Sequence, residues 1–143
     1  MSCETPRRRP LHDGIDETMV HGVVHAFYQK IRADAVLGPI FESKLGGSWD
    51  SHLEKMCDFW SSVMLMSGRY KGAPMVAHMR IKSIRPEHFQ RWLALFRETA
   101  GETCPVEIAA LFIKRAETIA RSLQLGMFFQ AQAPLRTAPE AAG

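Results

Sequence analysis

A chain of 143 residues with 46% hydrophobic content fits one domain with a full apolar core, which excludes a disordered polymer. The net charge of +3 is too slight for a nucleic-acid-binding surface. Much of that excess sits in Arg7-Arg8-Arg9, a Pro-flanked leader that reads as a solvated arm, so no nucleic-acid partner is expected. Cys3, Cys57 and Cys104 are widely spaced and form no C-x-x-C pair, which argues against a zinc ribbon or a thioredoxin-type redox site. No apolar run reads as a secretory signal or a membrane span, so the expectation is a cytoplasmic protein with free thiols and no membrane partner.

Residues 1–12 and 127–143 read as flexible tails around a globular unit of residues 13–126. The first helix starts after Asp16, an N-cap type residue followed by Glu17, where a carboxylate suits the helix dipole. Val20, Val23, Val24, Phe27, Tyr28 and Ile31 then recur at helical spacing as one stripe. Residues 34–41 contain Gly38-Pro39 and read as a tight corner ending on Phe41. A second helix runs from Ser48, as cap, to about Met66, with Ser67-Gly68 as its stop. Its stripe is Trp49, His52, Leu53, Met56, Trp60, Val63 and Met64, so His52 points the way the core residues do. Pro74 opens a short turn through Val76, His78 and Met79, and residues 80–85 read as loop. Pro86 opens a helix burying Phe89, Trp92, Leu93, Phe96 and Ala100, with Gly101 at its end. Pro105 opens the last helix, which buries Ala109, Phe112, Ile113, Ala116, Ile119, Ala120 and Leu123 and ends near Gly126. Four sizeable helices and no strand make an all-α fold.

Nucleotide and hydrolase signatures (G-x-G-x-x-G, the P-loop, G-x-S-x-G, H-E-x-x-H) are absent, and the carboxylates are scattered rather than paired. What remains is histidine on apolar surfaces among many aromatic and sulfur side chains. A neutral imidazole is the usual protein donor to haem iron. Tyr28, His52 and Trp92 each pair an apolar body with a polar tip, which suits a dry pocket offering a few hydrogen bonds. Each also has an ordinary reading: an inward His is often a hydrogen-bonded core residue, and Tyr28 and Trp92 alone are common core aromatics. Met56, Met64, Met66, Met75 and Met79 read as packing. His21, His25 and His88 read as surface or edge residues, and Cys57 as an inert buried thiol. Periodicity does not choose an iron ligand among the six histidines.

The order of segments is more specific. Phe27-Tyr28-Gln29-Lys30-Ile31-Arg32, then Leu37-Gly38-Pro39-Ile40-Phe41, then the run from His52-Leu53-Glu54 through Phe59-Trp60 is similar to the first half of a truncated haemoglobin. Tyr70-Lys71-Gly72-Ala73-Pro74, Ala77-His78, and the run from Pro86-Glu87-His88 to Leu95-Phe96 follow in the same order. Over residues 15–126 the chain resembles the third group of that family. Gly46-Gly47 is the only Gly-Gly pair, and the paired-glycine motifs of the first two groups are otherwise missing.

The resemblance implies a two-over-two helical sandwich around haem b, with His78 as the proximal iron ligand. Phe41 matches the aromatic at the haem edge, and Tyr28, His52 and Trp92 match the distal positions. Met56 faces the ligand one turn beyond His52, and Phe59 and Trp60 support the haem wall. Tyr70, Arg80 and Arg85 are candidates for propionate contacts. The implied function is binding of O2, CO or NO at a His-ligated iron, of the oxygen-binding or carrier type. The alternatives are a haem enzyme acting on NO or peroxide with an external reductase, and a non-haem helical interaction module. The expected assembly is a monomer or weak dimer.

Overall fold

The computed structural model describes residues 11–72 and 84–130. Within them the chain forms five α-helices and no strand: α1 (Glu17–Ala33), α2 (Leu37–Leu45), α3 (Trp49–Leu65), α4 (Pro86–Thr103) and α5 (Val106–Gln124), followed by a π-helical turn over Leu125–Gln130. The all-α expectation holds. None of the described helices is long and apolar enough to cross a membrane.

The first helix begins where its sequence signals place it. The Asp16 carboxylate accepts the Met19 backbone N–H at 2.9 Å, satisfying one of the donors a helix start leaves open. The stripe from Val20 to Ile31 is buried throughout. Glu17 has a second use: its Oε2 accepts from the Ser61 hydroxyl at 2.8 Å and pairs with Arg69 at 3.3 Å, tying the start of α1 to α3 and to the chain leaving it.

The corner expected over residues 34–41 is instead the start of α2. Pro39 lies in the first turn, where its missing N–H costs no helical bond. The donors exposed there are met by Asp34, whose Oδ2 accepts from the Val36 and Leu37 backbone N–H groups at 3.0 and 2.9 Å. Gly38 lets the new helix abut the old one, since a Cβ there would lie 2.7 Å from the Arg32 carbonyl oxygen. Gly46, with φ of 34°, closes α2, its N–H donating to the Glu42 carbonyl at 2.8 Å.

Ser48 precedes α3 as expected, although its side chain makes no capping bond. The helix stops through a left-handed Met66 (φ 59°), with Gly68 at φ 73° two residues on. α4 runs past Gly101, the expected end, to Thr103. Gly101 does not stop it; Pro105 does, by forcing Cys104 into an extended conformation (φ −128°, ψ 154°). After α5, Phe128 in the π-helical turn meets Phe89 of α4 edge-on at 6.1 Å.

α1 packs on α2, α3 and α4, and α4 packs along α5. The α1–α3 pair thus lies over the α4–α5 pair through an aromatic seam. Trp60 of α3 stacks on Phe96 of α4 (5.0 Å, 16°) and leans on Phe112 of α5 at 5.8 Å. Phe27 of α1 meets Phe96 edge-on at 5.1 Å. Such contacts add about 0.5–1.5 kcal/mol each beyond their area burial.

Gly38→Ala is expected to destabilise the protein by about 1–3 kcal/mol, because the backbone on the other side of the contact has nowhere to go. The check is a urea titration: the midpoint falls with an unchanged slope.

Candidate functional site

The inner stripe of α1 carries Tyr28 to a place where three helices converge. Its ring is 5% exposed, and burial pushes the phenol above its ordinary pKa, so the hydroxyl keeps its proton. From α3, the His52 ring meets Tyr28 nearly at right angles at 5.1 Å. From α2, Phe41 approaches Tyr28 at 6.0 Å and His52 at 6.4 Å. Trp49, at the start of α3, stacks on Phe41 at 6.3 Å and closes the group against Tyr28 and His52.

Trp49 is the member that sequence reasoning left out of the site. Its stripe position was visible three residues before His52, but its partners lie on other helices. Its indole N–H donates to Glu42 at 2.9 Å, and the Arg32 guanidinium lies 4.5 Å above its ring. Residues from α1, α2 and α3 thus fix one aromatic wall.

Trp92 approaches from α4. It stacks on Phe96 (5.7 Å, 15°) and meets Phe27 edge-on at 5.3 Å. Phe27 also touches Tyr28 at 4.9 Å, so one core ring spaces the two polar-tipped aromatics. Met56 is half-buried and packs against the core one turn after His52. Phe59 lies edge-on to Tyr70 at 5.2 Å and to Trp60 at 5.6 Å. Trp60 itself is buried in the seam between the helix pairs. The Tyr70 backbone N–H donates to the Ser62 hydroxyl at 2.9 Å, which pins the chain beyond α3. Arg85 is exposed at the start of α4, and its N–H donates to His88 Nδ1 at 3.0 Å. His78 and Arg80 lie outside the described residues.

Asp34 joins these pieces. Besides starting α2, its Oδ2 accepts from Arg91 Nε at 2.7 Å, one residue before Trp92. The Arg91 guanidinium holds the Asp34 carboxyl below the usual carboxylate range, opposed by burial and helped by the Leu37 and Val36 backbone N–H groups.

No protein-family model matches the chain. It is 33% identical over 113 residues to a group 3 truncated hemoglobin of Campylobacter jejuni, covering 77% of this chain and 89% of that protein. The chain belongs to the group III truncated haemoglobins. The crystal structure of a group III truncated hemoglobin from Campylobacter jejuni superposes with a TM-score of 0.77 at 30% identity, over 82% of this chain and 94% of that one. This truncated haemoglobin therefore has the truncated-globin fold, and the observed α1–α3 over α4–α5 arrangement is its helical sandwich.

A depressed folded pKa means Asp34 stabilises the fold above its unfolded value of about 3.9 and loses that contribution as pH falls through the folded value. Asp34→Asn should lower the urea midpoint at neutral pH. The gap to the parent protein should stay constant down to about pH 5 and then narrow in acid. A gap that does not vary with pH would assign the loss to capping geometry instead of charge.

Proposed function

We propose that this truncated haemoglobin holds haem b against the wall built by Tyr28, Phe41 and His52, with His78 as the protein ligand to iron, and binds O2 and other diatomics there. The observation that carries the reading is a buried, protonated phenol set against an imidazole within an otherwise aromatic wall, in a chain whose family is that of haem globins. The donor set suits the group: Phe41, Met56 and Phe59 offer apolar surface, while Tyr28, His52 and Trp92 offer a few polar tips. Haem, when bound, would supply an iron able to take up O2, CO or NO.

The chain's own part is to exclude water and aim donors. Tyr28 cannot ionise near neutral pH, so its hydroxyl is a donor to a ligand of partial negative charge. Trp92 can only donate, through its indole N–H. Phe27 keeps the two from collapsing onto each other. His52 stands beside Tyr28 and is our candidate for gating entry or for ligating the ferric iron. Tyr70, Arg80 and Arg85 are the candidates for the haem carboxylates.

A hydrogen bond with charge character contributes about 1.5–3 kcal/mol, or about ten- to a hundredfold in affinity. Tyr28→Phe and Trp92→Phe are each expected to speed O2 dissociation by about that factor, read by stopped-flow ligand displacement; unchanged rates in both would remove them from the ligand's surroundings. The decisive experiment on the whole reading is the absorption spectrum of purified protein in ferric and reduced forms. A Soret band is expected that His78→Ala no longer retains through gel filtration, and a colourless protein that takes up no haem would refute the reading.

A further inference from the structure

On the outer side of the α1–α3 packing, His21 and His25 lie one helical turn apart, both exposed, with rings stacked at 6.0 Å and 19°. An i, i+4 pair of histidines presents two imidazoles on one helix face, the spacing by which helices chelate a metal. Cys57 of α3 faces the same place, and the donor atoms of the three residues all lie within 4.8 Å of one another. They border one surface cleft together with Asp50 and Glu54.

We propose that His21, His25 and Cys57 form a binding site for a divalent cation of the zinc class that clips α1 to α3. Two imidazoles and a thiolate are borderline-to-soft donors, which suit zinc and disfavour magnesium or calcium. Zn–S and Zn–N bonds of about 2.3 and 2.0–2.1 Å in a tetrahedron need donor atoms about 3.3–3.6 Å apart. Rotation of the two exposed imidazole side chains closes the remaining gap, while Cys57, the buried member, stays where packing holds it. Burial, and after it the carboxylates of Asp58, Glu17 and Glu54, push the Cys57 thiol up to about 11, so the metal has to displace a held proton, while the same carboxylates set a negative potential that draws a cation. On binding, the Cys57 S–H bond breaks, its electron pair forms the S–metal bond and the proton goes to solvent. The fourth position is left to water or to the Glu54 carboxylate. Tyr28, Phe41, Trp49 and His52 do not line this cleft, so the site stands independently of the haem proposal.

The test loads full-length, haem-containing protein with Zn(II) after a chelator wash. It measures stoichiometry by calorimetry and ligand type by X-ray absorption at the zinc edge, which haem iron does not obscure. One equivalent is expected, with a single sulfur at about 2.3 Å and nitrogen or oxygen at about 2.0–2.1 Å. The melting temperature should rise with free zinc. Cys57→Ser should lose the sulfur shell, and His21→Gln and His25→Gln should each bind at least about tenfold more weakly, since even outer-shell losses cost that much. The haem spectrum should not change in any of them. If Cys57→Ser does not fold, the exposed double variant His21→Gln/His25→Gln carries the test, and it should lose the melting shift. No stoichiometric zinc, a sulfur shell that survives Cys57→Ser, or a sulfur shell lost in Cys104→Ser would each overturn the proposal.

Discussion

Asp34 presents one carboxylate to three helices, and three of the four helices that carry the candidate pocket residues are tied together through it. It lies directly after α1, satisfies the first donors of α2, and takes Arg91 from α4. Phe41 lies on α2, Tyr28 on α1, and Trp92 follows Arg91 in sequence, so the carboxylate fixes α1, α2 and α4 relative to one another, while α3, which carries His52, is held by its packing on α1. Its side chain is 9% exposed while Arg91 is 46% exposed, an asymmetric pair in which the acid is sequestered and the base reaches in from solvent. Exposed ion pairs contribute little by themselves. Here the carboxylate also meets two backbone donors that would otherwise be left open at the start of α2, which makes it a structural junction and not a surface decoration.

Behind that junction the aromatic seam does the packing. Phe27 touches Tyr28, Trp92 and Phe96, and Phe96 carries Trp60 and Trp92 on stacked contacts. Core and candidate pocket are therefore one continuous set of rings. Tyr28 and Trp92 are oriented by residues that have no chemistry of their own, and changes at Phe27 or Phe96 would alter the pocket as well as the stability.

The stripe of α1 was readable residue by residue because its period of 3.6 admits one buried face and Asp16 is an N-cap type residue. The inward placement of His52 followed from the same periodicity on α3. The helical nature of residues 37–45 did not, because Gly38-Pro39 carries the signal of a break. Only a side chain reaching forward from Asp34 and a close approach to the Arg32 carbonyl turn that signal into a helix start. Trp49 was visible as a core residue, yet its contacts with Tyr28, Phe41 and Arg32 cross between helices and leave no periodic trace. The same is true of His21 and His25: their exposure was legible, but their nearness to Cys57 depends on how α1 lies on α3. Gly101 misled for the opposite reason, since a glycine can end a helix but need not, whereas a proline one residue past Cys104 must.

The two flanks of the candidate pocket are held by different forces. Trp92 belongs to a column of nearly parallel rings, Trp60, Phe96 and Trp92, tilted by only 16° and 15° from one to the next. It cannot tilt without unstacking groups buried between the helix pairs. Trp49 is buried as well, but it is held by two exposed side chains, the Arg32 guanidinium above its ring and the Glu42 carboxylate on its N–H, contacts that salt can compete for. One flank is consequently stiff and the other compliant. Accommodation of a bulkier occupant, whether by breathing or by evolutionary drift, would proceed through positions 32, 42 and 49 and leave the tryptophan column untouched.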